Sequence, residues 1–175
     1  MTPLRPLALL LGLLALTACA GTDTYVPKGE PTFYRNLAQP GAELDADAAA
    51  SMISGYRSNN GLPAVTLDPH LMDMARAQAE IMAKRDKLDH NAGKPFNVRL
   101  KASGYDAKRA AENVSAGYHT LAEAFSGWRD SPPHRANMLL QGATRMGIAA
   151  VYTPTSKYKV YWALVIAEPD DGPKS

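Results

Sequence analysis

The 175-residue chain contains a single cysteine, Cys19. One thiol excludes every disulfide within the chain and every cysteine-rich zinc module, so no covalent cross-link or such metal site supports the fold and a sizeable packed core is expected. The composition permits this, with 46% hydrophobic and 21% charged residues, the proportions of an ordinary globular protein rather than a disordered one. The length suits one domain. Nineteen Lys and Arg against 17 Asp and Glu give a formal net charge of +2, too weak an imbalance to indicate a nucleic-acid partner.

Cys19 also has an informative position. Behind Arg5, the apolar run Leu7 to Leu16 and then Thr17, Ala18 and Cys19 follow the charged, apolar, small-residue order of an export signal. The run is about half of the roughly 20 residues that a membrane-spanning helix needs. Leu16-Thr17-Ala18-Cys19 resembles the lipobox of bacterial lipoproteins. On that reading residues 1–18 are removed, Cys19 is acylated, and two or more acyl chains supply an anchorage that one chain gives only marginally. Cleavage after Ala20, which would release a soluble protein, is the alternative. The expected location is the cell envelope, at the outer membrane if the bacterium has two membranes. With its thiol acylated, the chain has no disulfide-linked partner.

From Gly21 to Gly41 the chain is rich in Pro, Gly and Thr, the composition of a tether, and residues 19–43 are read as the lipidated N-terminus and its linker. Asp45 can cap a helix to about Ser58, with Leu44, Ala48, Met52 and Tyr56 on one face. Asp68-Pro69 is an N-cap followed by proline at the first helical position, and a stripe through Leu71, Ala75, Ala79 and Met82 carries that helix to about Arg85. A shorter helix spans Pro95 to Ala102, with Phe96 and Leu100 inward. Thr120-Leu121-Ala122-Glu123 is a capping box ahead of Leu121, Ala124, Phe125 and Trp128, and Ser131-Pro132-Pro133 ends that helix. Strands are expected over Arg145–Tyr152 and Tyr158–Ala167. Helices first and adjacent antiparallel strands later indicate an α+β domain over residues 44–168, with 169–175 as a frayed tail.

No phosphate-binding loop, dinucleotide glycine fingerprint or nucleophile elbow is present, and the thiol lies in the export signal. The remaining chemistry rests on His70, His90, His119, His134 and Glu112. No two histidines have the short spacing of a helical zinc motif. His70 and His119 read as surface residues. His90 follows a helix and His134 follows two prolines, so both are expected on loops held by rigid elements, where sites commonly lie. Glu112 sits in a small, apolar, strand-like stretch, where an unpaired carboxylate would be costly to bury; it needs a partner or a cleft.

The runs Ala111-Glu112-Asn113-Val114, Trp128-Arg129-Asp130-Ser131-Pro132-Pro133-His134-Arg135-Ala136-Asn137-Met138-Leu139 and Met146-Gly147-Ile148-Ala149 together resemble the CAP superfamily. This is the family of cysteine-rich secretory, antigen 5 and pathogenesis-related proteins, also called the SCP domain, and the likeness is to its bacterial branch. It covers roughly Ala48 to Glu168. It implies a three-layer α/β/α sandwich with a central antiparallel sheet, and a cleft lined by two histidines and two acids. His90, Glu112 and His134 match three of the four; the second acid falls on Ser131, and Asn113 adjoins Glu112 in the cleft wall. Two neutral imidazoles can bind zinc or another divalent metal, with Glu112 hydrogen-bonding to a ring or to a metal-bound water. Two ligands are fewer than the three of a catalytic zinc site, so binding should be weak.

The preferred functional reading is a membrane-tethered binding module for a lipid, a wall fragment or a protein. The alternative is a metal-assisted, peptidase-like hydrolase with Glu112 as general base.

Overall fold

The computed structural model describes residues 29–170; the export signal, Cys19 and the first part of the expected tether lie outside them, as do residues 171–175. The first long helix, α1 (Ala46–Ser58), begins where Asp45 accepts a hydrogen bond from the Ala48 amide. The second, α2 (Pro69–Arg85), begins where Asp68 accepts from the His70 and Leu71 amides. Helix α3 spans Phe96–Ala102, and α4 (Leu121–Asp130) carries both halves of the Thr120/Glu123 capping box.

Ser131-Pro132-Pro133 does end α4, but it also starts a fifth helix. Both prolines lie in the first turn of α5 (Pro132–Met138), where a missing N–H costs nothing and the fixed φ already suits a helix. His134, expected on a loop, is therefore a helical residue. The long strands are β2 (Ala107–Ala116), β3 (Arg145–Tyr152) and β4 (Val160–Pro169). The last begins two residues later than its pattern suggests because Lys159 has a left-handed φ of 62°. It then runs through Pro169, which pairs with Ala107, and the Asp170 amide donates to the Asp106 carbonyl at 3.1 Å, so the first two residues of the expected frayed tail 169–175 are held in place.

With the two-residue strand β1 (Thr66–Leu67), the sheet order is β1-β3-β4-β2. The antiparallel pairs β2–β4 and β3–β4 form its body, as expected, but β1 (Thr66–Leu67) adds a two-residue parallel edge, making the sheet mixed. Side chains of the central strand alternate between two cores. Val160, Trp162, Leu164 and Ile166 face α1, α4 and α5, where Trp128 and Trp162 meet edge-on at 6.4 Å between ring centres. Tyr161, Ala163, Val165 and Ala167 face α2 and α3. This is the three-layer α/β/α arrangement. At Gly147 a Cβ would collide with the Leu71 carbonyl of α2, so the close seating of helix on sheet requires glycine there.

The tether ends earlier than its composition implies. Leu37 is buried, its amide donates to the His119 carbonyl at 2.7 Å, and Phe33, Ala38 and Ala42 pack on the larger core. A proline- and glycine-rich segment can still dock when its few apolar residues find a groove, and those residues were outnumbered in the pattern.

Candidate functional site

The site is built on β2. Consecutive strand residues project to opposite faces, so Glu112 turns toward α3 and Asn113 toward α5. Glu112 is buried, with 2% of its side chain exposed, and three short contacts hold its carboxylate. Arg99 Nη2 donates to Oε1 at 2.9 Å and to Oε2 at 2.7 Å, and His90 Nδ1 lies 3.0 Å from Oε1. The partner that burial demanded is thus Arg99 on α3. Sequence reasoning missed it, although Arg99 falls between Phe96 and Leu100 on the inward stripe and its guanidinium stacks 5.5 Å from the centre of the Phe96 ring.

His90 is fixed from behind its backbone. Its carbonyl accepts from Arg99 Nη2 at 3.1 Å, and Gln78 Nε2 donates to the Asp89 carbonyl at 2.8 Å. Asp89 closes the turn by accepting from the Asn91 amide and from Lys87, contacts that hold its carboxyl below the ordinary range. The His90 ring is 48% exposed. With Nδ1 on Glu112, Nε2 is the nitrogen left for a ligand.

His134 arrives from the other side of the strand, because α5 is stitched to β2. Asn113 Nδ2 donates to the His134 carbonyl at 3.0 Å, while Asn137 Nδ2 donates to the Glu112 carbonyl at 3.1 Å and to Asn113 Oδ1 at 2.9 Å. The His134 ring lies 2.9 Å from Ser131 Oγ through Nδ1. Ser131, standing where the resemblance expects a second acid, therefore positions a ring rather than adding charge. No described carboxylate backs His134 as the third member of a nucleophile–base relay would. His70 and His119 are exposed and neither bonds to these residues, although His70 shares a cavity lining with Arg99.

Burial, and secondarily the neighbouring His90, lowers the pKa of His134 from its ordinary 6.5. The folded protein therefore prefers the neutral ring, while the unfolded chain takes up the proton at higher pH. Stability from this group is complete above about pH 6.5 and is lost as the pH falls from there through the lower folded-state value. In denaturant titrations, His134→Gln is expected to flatten the decline in stability just below pH 6.5; an unchanged acid limb would contradict the assignment.

Glu112 has no free oxygen to offer a cation, and no group of three or more His, Cys, Asp or Glu side chains among the described residues is placed to hold one. Two imidazole nitrogens remain, which do not fit a resident catalytic metal. Arg99 also lines a cavity of about 560 Å³ between α2 and α3, together with Met74, Ala77, Lys94 and Ala102. Its Nη1 is buried and has no hydrogen-bond partner among the described residues.

This sandwich is the architecture of the CAP domain, and the chain belongs to that family: the model of the Cysteine-rich secretory protein family matches residues 50–166. An uncharacterized Bacillus subtilis protein, YkwD, is 33% identical over 103 residues, 57% of this chain and 40% of its own length. An extracellular SCP-domain protein from Bacillus anthracis superposes with a TM-score of 0.60 at 21% identity, over 69% of this chain and 39% of that one. An outer surface protein from Borrelia burgdorferi superposes with a TM-score of 0.64 at 16% identity, over 74% of this chain and 99% of that one. The chain thus spans about two fifths of the two Bacillus proteins and nearly all of the Borrelia one.

Proposed function

We propose that this protein is an exported, lipid-anchored envelope protein whose CAP domain binds a ligand at His90, Glu112 and His134 without transforming it. The occupancy of Glu112 carries the reading: with both oxygens engaged by Arg99 and one also by His90, the buried carboxylate is committed to holding a cation and orienting a ring. That arrangement disfavours Glu112 as the general base of a hydrolase, for which a base within reach of its water is the first requirement. Arg99 and Lys94, with the apolar Met74, Ala77 and Ala102 beside them, line a cavity that suits an organic ligand with an anionic or carbonyl group, a lipid or wall fragment among them. Export accords with the signal-like leader and with the names of two structural neighbours, an extracellular protein of Bacillus anthracis and an outer surface protein of Borrelia burgdorferi.

A divalent ion is expected to bind weakly, through the two ring nitrogens. Calorimetric titration with zinc should show heat that is lost in His90→Ala and in His134→Ala and about tenfold weaker affinity in Glu112→Gln, the usual cost of removing a group that orients a ligating ring. Equal heats from wild type and both alanine variants would remove the metal from the proposal. Peptide hydrolysis above background that disappears in Glu112→Gln would replace binding by catalysis. Mass spectrometry of the mature N-terminus should find an acylated Cys19, and an unmodified start at Gly21 would exclude the anchor.

A further inference from the structure

The two edges of the sheet are treated differently. At β2, Asn137 of α5 bonds the outward Glu112 carbonyl. At β3 the short β1 pairs only with Arg145 and Met146, leaving the rest of that edge without a strand among the described residues. In an antiparallel pair, alternate residues turn N–H and C=O toward the partner and away from it. The Thr153 amide donates to Lys159 on the β4 side at 2.8 Å, so residues 148, 150 and 152 turn theirs outward. The contacts further along agree: outward carbonyls of Thr144 and Met146 accept from Thr66 and Asp68 at 3.0 and 2.9 Å. The outward Ile148 amide finds only Met72 Sδ, at 3.3 Å. From the Ile148 carbonyl to Tyr152, the outward groups bond to no described backbone.

These groups border a groove of about 380 Å³. One wall is α2, through Met72, Arg76 and Glu80; the other is the coil leading into α1, through Glu43 and Leu44. Glu43, Arg76 and Glu80 are exposed, and none forms an ion pair among the described residues.

We propose that this groove accepts an extended segment of a partner polypeptide, which adds a strand to β3 and carries basic side chains. Donors and acceptors repeating every second residue match another extended backbone. A lipid tail would leave them unpaired, and a single ion would use only one. The edge is recessed between two walls, so a second copy's equally recessed edge cannot reach it, which is also how the fold limits edge-to-edge aggregation. Carboxylates on both walls against one guanidinium favour lysines at adjacent positions of the incoming strand, whose side chains turn to opposite walls.

The probe is the peptide acetyl-Val-Thr-Lys-Lys-Val-Thr-amide, added to the full chain and read by amide hydrogen exchange. The Ala150 and Tyr152 amides should exchange rapidly in the free protein and be slowed at least about tenfold by the peptide. Glu43→Lys with Glu80→Lys, both exposed and thus harmless to folding, should weaken binding by about tenfold or more. Of two peptides N-methylated on alternate sets of amides, one should fail to bind. The proposal is overturned if millimolar peptide leaves both amides unprotected or if both methylated peptides bind as well as the parent. It is overturned equally if the two amides are already protected in the free chain, which would mean that the chain's own residues close the edge.

Discussion

Replacing Arg57 by methionine is expected to lower the unfolding free energy by about 3–5 kcal/mol, which for a chain of this size is a fall of roughly 6–20 °C in Tm. Arg57 is wholly buried on α1, and burial lowers the pKa of its guanidinium. It persists because its donors reach four carbonyls: Nε to Pro63 at 2.9 Å, Nη1 to Met138 at 2.9 Å and Leu140 at 3.0 Å, and Nη2 to Ala143 at 2.7 Å. Met138 closes α5, so the cation sits at the negative end of that helix and satisfies a carbonyl that the helix leaves open. Methionine keeps much of the volume but takes a donor from all four carbonyls, of which, among the described residues, Leu140 alone keeps another, the Ala143 amide at 3.3 Å. Arg57→Lys should recover only a small part, since an ammonium cannot reproduce a planar fork. Urea unfolding of the three proteins is the measurement; a loss under about 1 kcal/mol in Arg57→Met would refute the account. The effect should extend to the site, because the same contacts hold the end of the helix that carries His134.

Arg99→Met is expected to cost about 3 kcal/mol, since it leaves the buried Glu112 carboxylate facing only His90. The informative comparison is the double variant Arg99→Met with Glu112→Gln. Breaking a buried pair from one side strands a charge, whereas neutralising both sides removes the charge as well. The double variant should therefore be more stable than Arg99→Met alone, despite carrying one more substitution. Strict additivity of the two single effects would mean that the residues do not act as a pair. Zinc or ligand binding should weaken in Arg99→Met even under conditions where the protein is fully folded, because Arg99 also holds the His90 carbonyl and Glu112 orients the ring.

Local signals were read well where local physics decides the outcome. Asp45 and Asp68 cap the helices their positions indicate, the Thr120/Glu123 box forms, and the alternation of Val160, Trp162, Leu164 and Ile166 marks one face of β4. These depend on hydrogen bonds spanning two or three residues and on the two-residue period of a strand. Pro132-Pro133 signals a stop along the chain and is also a start in the fold, because both meanings are consistent with proline's fixed φ and only the following residues' packing selects one. Composition marks residues 19–43 as a tether but cannot register that Leu37 finds a groove.

By itself, then, the sequence determined the α+β class, the principal helices and strands, and the family likeness that picked out His90, Glu112 and His134. The tertiary structure decided the terms on which those residues meet. It gave Glu112 a cation from 13 positions earlier, brought His134 to β2 through Asn113 and Asn137, and placed Arg57 against carbonyls more than 80 residues away. Such pairings follow from which surfaces pack together when the two cores form, and no pattern along the chain encodes a contact between two faces that meet only in the folded protein.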